Sequence, residues 1–336
     1  MSAPAPSMYS SQAKAMAEKL GLKMGRANLE EFADTLLSVA RANRNILALT
    51  SDSRGSGKLG PFAQALPDQI VELGIAEQNL VGVAAGLASA GKTAYAVSPA
   101  CFLTARALEQ IKNDVAYSDQ PVKLIGISAG VSYGALGSTH HSLHDFASLR
   151  AINNIDIVAP ADNLETREVV RQSADRRIPV YIRFGKAPLY DLNATATVFE
   201  LGKSITLRAG TDIAFIATGE TVIHAILAAG ALAESGVTSR VISMHTVKPL
   251  DVQAVLKAGR QCRAIVTVEE HSVFGGLGEA CAAVLMQASI SVPFKIAAFP
   301  DEHTVTGSQA DIFRHYGISM EGLACRAQTL LRQDAQ

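Results

Sequence analysis

The chain has 336 residues, 48% hydrophobic and 18% charged, with a formal net charge of -1 at pH 7. That length predicts two domains with substantial cores, and the near-zero charge argues against a nucleic-acid polyanion as main partner. No apolar run is long enough for a membrane span, and the N-terminus lacks the apolar centre of a secretory signal.

Cys101, Cys262, Cys281 and Cys325 lie far apart with no CxxC pair. This fits reduced thiols and a cytoplasmic location better than a disulfide framework or a zinc site. Residues 1–25, with Ala, Ser and Pro, read as an N-terminal tail. From Asn28 to Arg44, Leu29, Phe32, Ala33, Leu36, Leu37 and Ala40 share one helical face. Apolar strands are expected at 45–50, 70–74, 93–97, 122–128, 155–160 and 180–184, with a small-residue helix over 77–90. Residues 188–203 break the rhythm with Asp, Asn and polar residues and read as a linker. It separates a first domain at 26–187 from a second at 204–336. There, strands are expected at 211–219, 239–245, 264–270 and 294–299, with helices over 221–234 and near 278–288. Near-continuous apolar strands alternating with helices predict an α/β fold: two domains, each a mostly parallel sheet flanked by helices.

In open parallel sheets, ligands bind beyond the carboxyl ends of strands. Polar segments fall at such ends: TSDSRGSGKLG, GIAEQN, SPACF, SAGVSYGALGSTHHSLHD and FGK. Five loops at one edge suffice for a site, although polar Gly-rich loops are also ordinary connections. GSGKLG matches GxGxxG but fails as a phosphate loop, because Asp52 replaces the first Gly and Leu59 the Ser or Thr. As a nicotinamide site it lacks a long following helix and a downstream acidic strand end. In THHSLHD, His140 and His144 are four apart, which on one helical face suits zinc. No third ligand accompanies them, and a positioned acid–base histidine is the favoured reading over a plain helix start. Glu77 opens a helix, where an acid complements the macrodipole. Gly82, Ala84, Ala85, Gly86 and Ala88 then permit close packing against another helix or subunit, which would take Glu77 out of water.

In order, GIAEQNLVGVAAGLA, FLTARALEQIKNDVA, GSTHHSLHDFASLR and VAPADNLETR resemble the pyrimidine-binding domain of transketolases. TVKPLD and VEEHSVFGGLGEA resemble the transketolase C-terminal domain, and together the resemblance covers about residues 27–333. It implies thiamine diphosphate as cofactor. It also implies transfer of a two-carbon ketol unit from a ketose, phosphorylated or otherwise modified, to an aldose. Full-length transketolases carry an N-terminal domain whose GDG segment helps hold magnesium and the diphosphate, and no GDG occurs here. The chain therefore resembles the C-terminal subunit of a split transketolase. It is expected to need a diphosphate-binding partner subunit that holds the magnesium, in a self-associating heterotetramer.

By this resemblance Glu77 hydrogen-bonds the pyrimidine ring nitrogen and so prepares the thiazolium carbon to lose its proton. His140 contacts reacting oxygens and shuttles protons. Phe102 stacks on the pyrimidine, and Asp52 lies near it. Ser56 matches a phosphate-contacting Ser, and Lys186 stands where the family holds a phosphate-binding Arg, losing the bidentate fork. Ser128 replaces a substrate-binding His, Leu136 an acidic residue, and Pro99 the other stacking aromatic. These departures imply a modified sugar or an apolar-ended acceptor. Rival readings are the beta subunit of a 2-oxo-acid dehydrogenase, a deoxyxylulose-phosphate-synthase-like carboligase, and a non-catalytic partner subunit.

Overall fold

A computed structural model describes residues 8–333. Its strands in chain order are β1 (Met24–Ala27), β2 (Ile46–Thr50), β3 (Ile70–Glu72), β4 (Thr93–Pro99), β5 (Lys123–Ile127), β6 (Asp156–Val158) and β7 (Val180–Phe184). There follow β8 (Pro188–Tyr190), β9 (Ile205–Arg208), β10 (Ile213–Ala217), β11 (Ser239–Ser243), β12 (Thr246–Lys248), β13 (Ala264–Ser272) and β14 (Phe294–Phe299).

The first sheet has the order β12-β6-β7-β5-β4-β2-β3. β2 to β7 run parallel to their neighbours, and only β12 is antiparallel. Its central strands are buried throughout, as the continuous apolar runs require. Helices cover both faces. On one, Leu80, Ala84, Ala88 and Val115 pack with Leu47, Leu49 and Leu124. On the other, Leu29, Phe32 and Leu36 pack with Ile125, Ile182 and Phe184. The second sheet has the order β14-β13-β10-β11-β9, parallel except for β9.

Three features depart from expectation. Residues 1–7 lie outside the described residues, but the rest of the expected tail is structured. Ser10 caps a helix, Ser11–Lys19, by accepting from the Ala13 N–H at 3.0 Å. Ala13, Met16 and Ala17, one helical face, are buried against Ile223 and Leu227 of the second domain. Gly230 makes this possible: a Cβ there would lie 2.7 Å from the Met16 sulfur. Second, within the expected linker Pro188–Tyr190 forms β8 and pairs with β1. Third, β12 follows the second domain's β11 in sequence yet completes the first domain's sheet.

Candidate active site

Parallel β2, β3, β4, β5 and β7 deliver their carboxyl ends, and the loops that follow, to one edge of the first sheet. β3 leads through a turn into the helix Glu77–Ser89, with Glu77 in its first turn. The Glu77 side chain is only 5% exposed. It is buried by its own chain: Ala84, Ala85 and Ala88 face the core, whereas Gly82 and Gly86 face outward. The carboxylate has a cation beside it, with Arg106 Nη1 3.0 Å from Glu77 Oε1.

β4 leads directly into the short helix Ala100–Arg106, which carries Phe102 and Arg106. Four apart on a helix, these side chains meet, and the Arg106 guanidinium lies 4.1 Å from the Phe102 ring centroid. The Phe102 ring contacts His140 edge-on, with centroids 5.3 Å apart. His140 sits between two aromatic rings, because Tyr133 touches it in the same manner at 5.3 Å. Its Nδ1 lies 2.9 Å from the Thr139 hydroxyl. Tyr133 in turn receives the Lys186 ammonium over its ring at 3.5 Å. Desolvation pushes the Lys186 ammonium pKa down. Burial pushes the Tyr133 phenol up, with the Ser128 hydroxyl working against it. Glu77, Arg106, Phe102, His140, Tyr133 and Lys186 thus form one continuous chain of contacts from β3 to β7.

Ser128 follows β5 as a fully buried residue in left-handed backbone at φ 54°. Asp52 and Ser56 lie on the loop after β2, and no contact links them to the chain of six. Asp52 is exposed with φ 53°, and its N–H donates to Glu72 at 2.7 Å. Burial raises the Glu72 carboxyl, but hydrogen bonds from Thr50, Asp52 and Gly74 outweigh it and hold it low. Ser56 donates to the Ser53 carbonyl at 3.2 Å. The zinc reading of THHSLHD fails on geometry. The helix begins only at Asp145, so His140 and His144 do not share a helical face. Among the described residues no three His, Cys, Asp or Glu side chains gather as a metal set.

A buried network anchors the histidine loop from below. Arg183 Nη1 of β7 donates to both Asp145 oxygens, at 2.9 and 3.1 Å, and the Tyr181 hydroxyl donates to Asp145 at 2.7 Å. Arg183 also reaches the Glu270 carbonyl at 2.9 Å, which ties the loop to the second domain. Glu270 accepts from the Val131 N–H at 2.8 Å. Gly130 allows this approach: it stands at φ 59°, and a Cβ would collide with the Glu270 carboxylate.

Arg106, Tyr133 and this network do not stand out in the sequence. Arg106 has a readable signal, its four-residue spacing from Phe102; Tyr133 has only its place in SYGALGSTH.

The fold agrees with comparison to known proteins. The family model for the transketolase pyrimidine-binding domain matches residues 26–190, and that for the transketolase C-terminal domain matches residues 202–323. The chain belongs to the transketolase family. It is 48% identical over 305 residues to one of the subunits of an apulose-4-phosphate transketolase from Phocaeicola vulgatus, covering 90% of this chain and 97% of that one. A 6-deoxy-6-sulfo-D-fructose transketolase subunit of Clostridium sp. is 37% identical over 256 residues, 76% of this chain and 80% of its own. The solved structure of a split-gene transketolase, described as an inactive β4 tetramer, superposes with a TM-score of 0.83 at 33% identity. It covers 92% of this chain and 99% of that one. Relatives of this length are subunits of split transketolases, as the sequence resemblance implied.

Proposed function

We propose that this chain is the pyrimidine-binding subunit of a two-chain transketolase that moves a two-carbon ketol unit from a ketose to an aldose through thiamine diphosphate. The observation that carries this reading is the contact chain joining buried Glu77, the Phe102 ring and His140 at one sheet edge. The residues fit the cofactor's pyrimidine. The space between Glu77 and Phe102 already accepts a flat, nitrogen-bearing hydrogen-bond donor, the Arg106 guanidinium.

When bound, thiamine diphosphate supplies the nucleophilic carbon needed to break and remake a bond next to a carbonyl. This chain's own residues supply orientation and proton control. Glu77 would hold a proton in a hydrogen bond to the pyrimidine ring nitrogen, its carboxylate kept dry by the helix it opens. Phe102 would present a ring face for stacking. His140, steered through Nδ1 by Thr139, keeps Nε2 for giving and taking protons at substrate oxygens. Lys186 would offer its charge to a substrate phosphate, with Ser56 and Ser128 lining the approach and Asp52 nearer the pyrimidine. Magnesium and the diphosphate would fall to a second subunit, a reading supported by relatives named as transketolase subunits. The inactivity noted for the β4 relative supports that requirement. The four cysteines are free, in keeping with a cytoplasmic enzyme. No helix among the described residues is long and apolar enough to cross a membrane.

The substrate reading follows from Leu136, which is 56% exposed on the histidine loop. An apolar residue there removes an acceptor for sugar hydroxyls. With relatives named for apulose 4-phosphate and sulfofructose, this supports a ketose other than the common pentose phosphates, apulose 4-phosphate first. In the reconstituted complex, apulose 4-phosphate should turn over faster than xylulose 5-phosphate. Ordinary rates with xylulose and ribose 5-phosphates would overturn the substrate, and carbon dioxide release from pyruvate would favour the keto-acid rivals. Glu77→Ala should cut turnover by roughly 10²–10⁴-fold. Unchanged turnover in that variant would leave the chain a non-catalytic partner.

A further inference from the structure

We infer that Arg106 is a placeholder for the cofactor's pyrimidine. Its guanidinium occupies the seat between Glu77 and Phe102 in the free subunit and leaves when the cofactor enters. The inference rests on the proposed reading that Glu77 and Phe102 hold that ring.

Two contacts define the seat. Arg106 Nη1 donates to Glu77 Oε1 at 3.0 Å, and Arg106 Cζ stands 4.1 Å from the Phe102 ring centroid. An aminopyrimidine needs the same two: an edge that hydrogen-bonds a carboxylate, and a flat face against an aromatic ring. Guanidinium and aminopyrimidine are both planar, nitrogen-edged and delocalised, so one group satisfies the seat in place of the other. Two flat groups cannot occupy it at once.

The free chain has a physical need for such a stand-in. A carboxylate as buried as Glu77 is costly without a counter-charge. Glu77 lies 5% exposed in the first turn of its helix, so water is not at hand to replace that counter-charge. Arg106 is the mobile partner. It is the last residue of its helix, and its side chain is 49% exposed. It can swing into solvent without disturbing the core.

The chemistry also requires that it leave. While Arg106 Nη1 donates to Glu77 Oε1, that side of the carboxylate is closed to any other partner, and a guanidinium has no acceptor with which to share a proton. The proposed role asks the same carboxylate to share a proton with a ring nitrogen. Arg106 is thus a positioning residue: it keeps Glu77 and Phe102 apart and aimed, then yields the place.

The test is calorimetric titration of thiamine diphosphate, with magnesium, into the complex of this chain and its diphosphate-binding subunit, paired with turnover measurements. Arg106→Ala should bind the cofactor about tenfold more tightly, because one half-exposed ion pair and one cation–π contact no longer compete. Arg106→Lys, which keeps the charge but loses the plane, should fall between that variant and the parent, and guards against misfolding of the alanine variant. Weaker or unchanged cofactor binding in the folded variants would overturn the placeholder and make Arg106 a wall of the pocket. Glu77→Ala separates the two failures. If it alters neither cofactor affinity nor turnover, the reading of Glu77 itself falls, whatever Arg106 does.

Discussion

Lys186 stands over an aromatic face rather than beside a carboxylate, and this sets what it can do. Pairing with the Tyr133 ring at 3.5 Å engages one side of the ammonium, so its charge can still meet an arriving anion. Desolvation lowers its pKa, yet an arriving phosphate would restore the preference for charge. Lys186→Ala should therefore raise KM for a sugar phosphate by about tenfold or more while sparing kcat, and Lys186→Arg should recover much of the loss. A matching rise in KM for an unphosphorylated ketose would show that the charge does not read phosphate. Four of the six contacting side chains were legible as motif positions: Glu77, Phe102, His140 and Lys186. Arg106 offered only its four-residue spacing from Phe102 and Tyr133 only its place in the loop, because each acts by filling space between motif residues, and that depends on side-chain direction rather than on residue type. Asp52 and Ser56 were legible as well, but the loop after β2 keeps them outside the contact chain.

At the scale of elements, the helix Ser11–Lys19 is the clearest surprise. Its apolar face consists of Ala13, Met16 and Ala17, small enough to pass for a polar tail in a sequence rich in Ser and Lys. What makes it a helix is tertiary: Gly230 opens a slot on the facing helix, and the Met16 side chain enters it. Met16→Ala should destabilise the protein by about 2–3 kcal/mol through an unfilled cavity, seen as a lowered Tm. An unchanged Tm would mean that this segment contributes nothing to the fold. The main strands were readable because they are buried from end to end and mostly apolar, as β5, β7 and β10 are. Of the short pieces, β3 and β6 were expected, but β1, β8, β9 and β12 were not. β8, three residues beginning with a proline, takes its identity from the distant β1 partner near the other end of the domain, which no local pattern records.

For the whole molecule, the seam between domains is built from buried acids. Gln309 Nε2 donates to Glu220 Oε2 at 3.0 Å and to Glu270 Oε1 at 2.8 Å. Burial pushes both carboxyls up; the Glu270 charge adds to this at Glu220, while Arg183 opposes it at both. A raised carboxyl stabilises the fold fully below the ordinary carboxylate range, and that contribution is lost as pH rises through the raised value. His271 works in the opposite sense. Burial pushes it down to about 4, so its contribution is present above the ordinary imidazole value and lost on acidification. Heating curves should therefore show Tm falling from about pH 6 to about pH 8, and Glu220→Gln, which imitates the protonated acid, should flatten that fall. An equal fall in the variant would remove Glu220 from the seam's titration.

The strand β12 has a consequence for how such a gene can be divided. Thr246 and Lys248 pair with Val158 and Ile157, so the first sheet is finished by residues encoded beyond the linker. A fragment ending in that linker would leave β6 as a bare edge, open to pairing with other chains and to aggregation. Any cut that natural history or a cloning strategy makes in a transketolase of this design has to fall outside the two domains, so that each piece closes its own sheets.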